Sequence, residues 1–200
     1  MHGVVMSGLQ SFIRDQEGND TWREVRNRAG VDRTIYSRME EYPDEEFLAI
    51  YGVLVDDFGM DGPALQREFG RYLFESLADL YERVYFDDDW DALDMIENVE
   101  ETIHESLRRR DDVTFTPPEL ATDRIGDHRV VVIYTSDRYL CELAWGMIEG
   151  VGDYYGTPLE IDEASCLKDG DETCRLVVTD ATEVGSSEDV PETDAASQEV

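Results

Sequence analysis

The sequence predicts an α+β fold, and three observations carry that prediction. Before about residue 109, apolar residues recur at steps of three and four, and Gly or Pro stands where the recurrence breaks, as in amphipathic helices. From Pro117 onward the pattern changes to short runs rich in β-branched residues, separated by Gly-Asp turns, as in antiparallel strands. One further helical pattern, over residues 139–155, interrupts those runs. The expected architecture is a helical N-terminal lobe joined to a C-terminal lobe, in which helices lie on one side of a four-stranded antiparallel sheet.

The helical elements come first. Val4, Val5, Leu9, Phe12 and Ile13 mark a first helix over residues 4–14 that ends near Asp15-Gln16-Glu17-Gly18. Asn19-Asp20-Thr21 supplies N-cap chemistry for a second helix through Trp22 and Val25, which Gly30 ends. A third starts at Tyr42-Pro43-Asp44-Glu45-Glu46, where Pro suits the first turn and the acids suit the helix dipole. Gly59 and Gly62-Pro63 precede a fourth helix carrying Leu65, Phe69, Leu73, Leu77 and Leu80. After the acidic turn Asp87-Asp88-Asp89-Trp90-Asp91, residues Leu93, Ile96, Val99, Ile103 and Leu107 form one apolar stripe. His104 sits at the edge of that stripe, about 100° round from Ile103. An isolated His in such a place is usually a surface residue.

The strands are equally plain. Glu119–Ile125 and Arg129–Thr135 read as a hairpin about Gly126-Asp127. Leu159–Ala164 and Thr173–Thr179 supply a third and a fourth strand, joined through Lys168-Asp169-Gly170-Asp171. Beyond Asp180 the chain is dominated by Ser, Glu, Asp, Ala and Thr with no Lys or Arg, and residues 181–200 read as a disordered acidic tail.

Composition narrows the function. In 200 residues, 48 Asp and Glu oppose 17 Lys and Arg, for a formal net charge of −31, and Lys168 is the sole lysine. Such a surface is a poor partner for nucleic acid or for an anionic membrane, since both need clustered cations. The balance resembles that of proteins from salt-loving organisms, in which salt screens the self-repulsion. The N-terminus lacks the basic and long apolar regions of a signal peptide, and no stretch approaches the roughly 20 apolar residues of a membrane span. Three cysteines fit a reducing cytoplasm, which is the expected location.

The chemistry centres on Tyr134-Thr135-Ser136-Asp137-Arg138, which closes a strand pattern and opens a helix pattern. Alternate side chains of an extended segment point the same way, so Tyr134, Ser136 and Arg138 form one polar claw. A guanidinium with two hydroxyls suits a carboxylate or a phosphate. The same residues also read as a helix cap, a local ion pair and an edge aromatic.

Tyr134-x-Ser136-x-Arg138 matches the Y-x-S-x-R motif of the H-NOX (haem-nitric oxide/oxygen binding) family, and four further stretches resemble that family in the same order. They are Met1-x-Gly3 with the later Gly18-Asn19-Asp20-x-Trp22; Glu68-Phe69-Gly70-Arg71-Tyr72-Leu73-Phe74; Val99-Glu100-Glu101-Thr102-Ile103-His104 followed by Leu107 and Pro117-Pro118; and Cys166-Leu167-Lys168-Asp169-Gly170-Asp171-x-x-Cys174. The stretch ending at His104 resembles the L-D-x-h-H-x-x-h helix (h being apolar) that carries the family's proximal haem ligand.

The resemblance implies an H-NOX fold over residues 1–180, with a helical distal lobe over about 1–60 and a haem-holding lobe over about 61–180. It implies haem b with His104 on the iron, Tyr134, Ser136 and Arg138 on the propionates and Pro118 against the haem. Val5, Leu9 and Leu143 would form the distal pocket. Family members that bind oxygen stably carry Tyr at the position of Leu143, so nitric oxide and carbon monoxide are the expected ligands. By analogy, nitric oxide weakens the His104–iron bond and shifts the lobes. In some relatives three cysteines and a His hold zinc. Cys141, Cys166 and Cys174 match the cysteines, and Glu163 stands at the His position. No catalytic constellation is evident, so the chain reads as a sensor rather than an enzyme, signalling to a separate histidine kinase, cyclase or chemotaxis receptor. The alternative is a haem-free relative of the same fold, serving as a zinc-stabilised or apolar-ligand interaction module. An enzyme acting on a small acid held by Arg138 is more distant.

Overall fold

The computed structural model describes residues 1–109 and 117–182. The stretch 110–116 before Pro117, and the tail from residue 183 expected to be disordered, lie outside the described residues. Among the described residues the helices are α1 (Gly3–Arg28), α2 (Asp44–Asp56), α3 (Gly62–Tyr85), α4 (Ala92–Val99), α5 (Glu105–Arg108) and α6 (Cys141–Tyr155). The strands are β1 (Glu119–Arg124), β2 (Arg129–Thr135), β3 (Leu159–Ser165) and β4 (Cys174–Asp180). The α+β class is as expected: the strands form one antiparallel sheet in the order β1-β2-β4-β3. No helix among the described residues is long and apolar enough to cross a membrane.

The two helices expected in the first thirty residues meet end to end at Gly18, whose φ of 90° lies in the region that favours glycine. Thr21 then donates from its hydroxyl to the Glu17 carbonyl across the kink, at 2.8 Å. Asp91 begins α4 with a reciprocal capping box, its carboxylate accepting from Asp94 N while the Asp94 carboxylate accepts from Asp91 N.

The apolar side chains gather in two main clusters. One joins α1, α2 and the first half of α3, with Phe12, Phe47, Ile50, Leu54, Phe69 and Leu73 at its centre. The other joins α4 to the sheet through Leu93, Ile96, Val130, Val132, Leu176 and Val178. Helices α3 and α6 cross between them in backbone contact. A β-carbon on Gly146 would lie 2.1 Å from the Arg67 carbonyl oxygen, and one on Gly70 would lie 2.5 Å from that of Leu143. Only glycine permits that approach. Arg67 clamps the crossing, with Nε 2.6 Å from a Glu142 oxygen and its guanidinium 3.9 Å from the centre of the Trp145 ring.

Candidate functional site

A cavity of about 230 Å³ is walled by residues of both clusters. Most of the wall is apolar, including Val5, Leu73, Phe74, Ile96, Val132 and Leu143. Its polar members include His104, Tyr134, Ser136 and Arg138, so the structure brings together the imidazole and all three members of the claw. Pro118 is also in the wall. Leu9 is not: it is 2% exposed and packs one turn deeper than Val5, in the core of the helical cluster.

His104 reaches the cavity through an irregularity in its helix. Between α4 and α5 the chain makes a π turn, Glu100–His104, with Glu105 N bonded to Glu100 O. A π turn holds one residue more than an α turn. That extra residue rotates the downstream side chains by about 100°, which carries His104 toward the azimuth that Ile103 would hold in a regular helix.

Burial depresses the His104 pKa, and the opposing hydrogen bond to Glu100 does not reverse the shift, so the ring is held neutral. Its Nδ1 lies 2.9 Å from Glu100 Oε2. With the carboxylate as acceptor, Nδ1 carries the proton and Nε2 is left with its lone pair. The other oxygen of Glu100 accepts from Arg108, and Leu120 N donates to Oε2 at 3.3 Å. Arg108 also donates to the Pro118 carbonyl at 3.0 Å. Burial would raise the Glu100 pKa, but the hydrogen bonds from Arg108 and His104 hold it below the ordinary value.

The claw sits at the end of β2. Tyr134 is buried, and burial pushes its phenol up to about 12, so the hydroxyl stays a donor. Ser136 Oγ accepts from Arg138 N at 3.3 Å and shapes the turn, which ends at Tyr139 with φ 54°. Arg138 Nε donates to Asp44 Oδ2 at 2.7 Å, and the other Asp44 oxygen lies 2.5 Å from the Met1 ammonium. Three donors in one wall therefore face a predominantly apolar space with a neutral imidazole in the same wall. That donor set suits a flat apolar group carrying carboxylates and an axial metal, which is the chemistry of haem.

A second constellation lies against Tyr134. Cys141, Cys166 and Cys174 are buried, free and mutually within 4.8 Å. Cys174 Sγ is 3.0 Å from Cys141 Sγ and 3.7 Å from Cys166 Sγ. A tetrahedral zinc with bonds of about 2.3 Å requires sulfurs about 3.8 Å apart, a spacing that Cys174 and Cys166 match, whereas Cys174 and Cys141 lie closer and would have to separate. Burial, and then the neighbouring thiols, push the Cys141 thiol up, and burial pushes Cys166 up, so a metal would displace protons on binding. Glu163 stands outside the trio. It is exposed and groups with Cys166 and Asp169, just before the register of β3 shifts between Glu163 and Ser165.

Glu100 and Asp44 are the members of these networks that sequence reasoning missed. The i, i+4 spacing of Glu100 and His104 was a signal for the first. Nothing local signals Asp44, which meets Arg138 from 94 positions away.

Comparison with known proteins is consistent with this arrangement. The profile of the haem-NO-binding family matches residues 2–163. No curated protein gives a significant match. Among solved structures, an H-NOX protein from S. oneidensis in the Fe(II)NO ligation state superposes with a TM-score of 0.81, at 21% identity over 89% of this chain and 98% of that one. An unliganded Fe(II) H-NOX mutant from K. algicida gives 0.79, at 16% identity over 90% and 96%. A mutant of the T. tengcongensis H-NOX gives 0.79, at 21% identity over 90% and 98%. At these identities the likeness is one of fold.

Proposed function

The chain belongs to the haem-NO-binding family, and on that premise we propose that it holds haem b through His104 and senses nitric oxide on behalf of a separate signalling protein. The observation that carries this reading is the shared wall: a buried neutral imidazole and three carboxylate-binding donors line one apolar cavity.

Bound haem would supply a ferrous iron able to bind a diatomic gas. The chain supplies the rest. His104 offers Nε2 to the metal while Glu100 fixes the ring through Nδ1. Tyr134, Ser136 and Arg138 would hold its carboxylates, and the apolar Phe74, Ile96 and Val132 in the same wall would exclude water from the cavity. Leu143 and Val5 have no donor to offer, so their part of the wall favours nitric oxide and carbon monoxide over oxygen, a ligand that gains most from a hydrogen bond.

The signal has a route through Arg138. The same guanidinium that would hold a carboxylate is tied to Asp44, and through it to the N-terminal ammonium. Displacement of Arg138 is therefore felt by the helices at residues 1–60, which we read as one lobe moving against the other. The receiver is of the kind that serves other members of the family: a histidine kinase, a cyclase or a chemotaxis receptor.

The cysteine trio is assigned to structural zinc, with water or a shifted Glu163 as the fourth ligand. A haem-free interaction module would keep that trio, but would have no use for His104 and the claw in a common wall. Titration of the apoprotein with haem in high salt tests the choice. Uptake of one haem per chain, altered in His104→Ala, supports the sensor; a folded native protein that takes up none replaces it with the module.

A further inference from the structure

The partner of His104 is neither solvent nor a backbone carbonyl, but a carboxylate held by two further donors. Glu100 Oε2 takes His104 Nδ1 at 2.9 Å and Leu120 N at 3.3 Å, and Oε1 takes Arg108. Arg108 is itself fixed to the Pro118 carbonyl. The carboxylate side chain is 19% exposed and the imidazole 17%, so neither charge nor dipole is fully screened by water. We propose that the Glu100–Arg108 pair sets how strongly His104 donates electron density to a metal: Glu100 raises it and Arg108 restrains it. The inference rests on the reading of His104 as the axial ligand.

Two opposing effects act on the imidazole. A full negative charge accepting from Nδ1–H pulls that proton away from the ring, which makes Nε2 a stronger donor. A guanidinium on the other oxygen of the same carboxylate draws charge back toward itself and weakens the pull. A backbone carbonyl at the Glu100 position would orient the ring equally well but would lack both controls. The two residues are thus positioning residues that act through His104, and their removal has effects of opposite sign. A merely structural role predicts no such opposition.

The test uses the full chain loaded with haem, as native protein, Glu100→Gln and Arg108→Met. Gln keeps an acceptor of nearly the same shape and removes only the charge. The readouts are the iron–imidazole stretching frequency of the ferrous protein, the reduction potential and the rate of haem loss. Glu100→Gln should lower the frequency, raise the potential and speed haem loss by about tenfold. Arg108→Met should raise the frequency and lower the potential. Shifts of the same sign, or none, in proteins whose absorption depends on His104 would overturn this inference and leave the sensor reading intact. A native spectrum indifferent to His104→Ala would overturn both. If Glu100→Gln does not fold, the sign of the Arg108→Met shift decides.

Discussion

Arg138 donates to Asp44 across 94 positions of sequence, at 2.7 Å, and so joins the claw at the end of β2 to the first turn of α2. Burial acts to raise the Asp44 pKa, but the hydrogen bonds from the Met1 ammonium and Arg138 outweigh it and hold the carboxyl below its ordinary value. A carboxyl whose folded pKa is depressed contributes stability that is complete above its unfolded pKa of about 3.9 and is lost as pH falls through the folded value. Asp44→Asn should therefore cost about 1 kcal/mol at pH 7, after allowance for screening at a partly exposed site. The cost should vanish in strong acid. Urea melts of the two proteins at pH 7 and pH 2 measure both.

The crossing of α3 and α6 gives a sharper stability test. Gly146→Ala places a methyl against the Arg67 backbone, which cannot swing aside, and should cost about 1–3 kcal/mol or more. Gly52→Ala in α2 meets nothing within 4 Å and should gain about 0.5–1 kcal/mol from helix propensity. Opposite displacements of the urea midpoint are expected. Equal ones would mean that the two helices do not meet in backbone contact.

Much of this molecule is legible in its sequence. The run Val130–Ile133 reads as a buried strand, and it is one, but the two-residue period does not reach the claw: β2 ends at Thr135, and a turn carries Asp137 and Arg138. His104 is harder, because the stripe from Leu93 to Leu107 reads as one continuous α-helix and hides the π turn. Glu100 stands four before His104, where the motif that the sequence resembles has leucine, so the resemblance points away from it. Val5 and Leu9 share a helical face by spacing, yet only Val5 lies at the level of the cavity. Asp44 reads as a dipole-favoured first-turn acid, which it is; its meeting with Arg138 is a matter of tertiary packing that no local pattern carries.

The claw makes a graded prediction. Removing one charge-assisted bond costs about 1.5–3 kcal/mol. Arg138→Ala should thus speed haem loss by about 10- to 100-fold, while Tyr134→Phe, which loses a neutral hydroxyl, should do less. Transfer of haem to excess apomyoglobin gives both rates.

The cysteine trio predicts one zinc per chain by metal analysis of protein purified without added chelator. Cys174 is the sulfur that approaches both others, so Cys174→Ser should lower zinc occupancy by about tenfold. Metal-free native protein that melts at the same temperature as the purified form would remove zinc from the account.

On the proposed reading, His104 holds a haem iron that meets nitric oxide. Its most direct test is the absorption spectrum of haem-loaded protein in high salt, recorded as ferrous, ferrous with oxygen and ferrous with nitric oxide, for the native chain and for His104→Ala. A five-coordinate ferrous Soret band is expected, which oxygen leaves in place, nitric oxide shifts and His104→Ala alters. A native band that does not respond to nitric oxide, or one that is identical in His104→Ala, would contradict it.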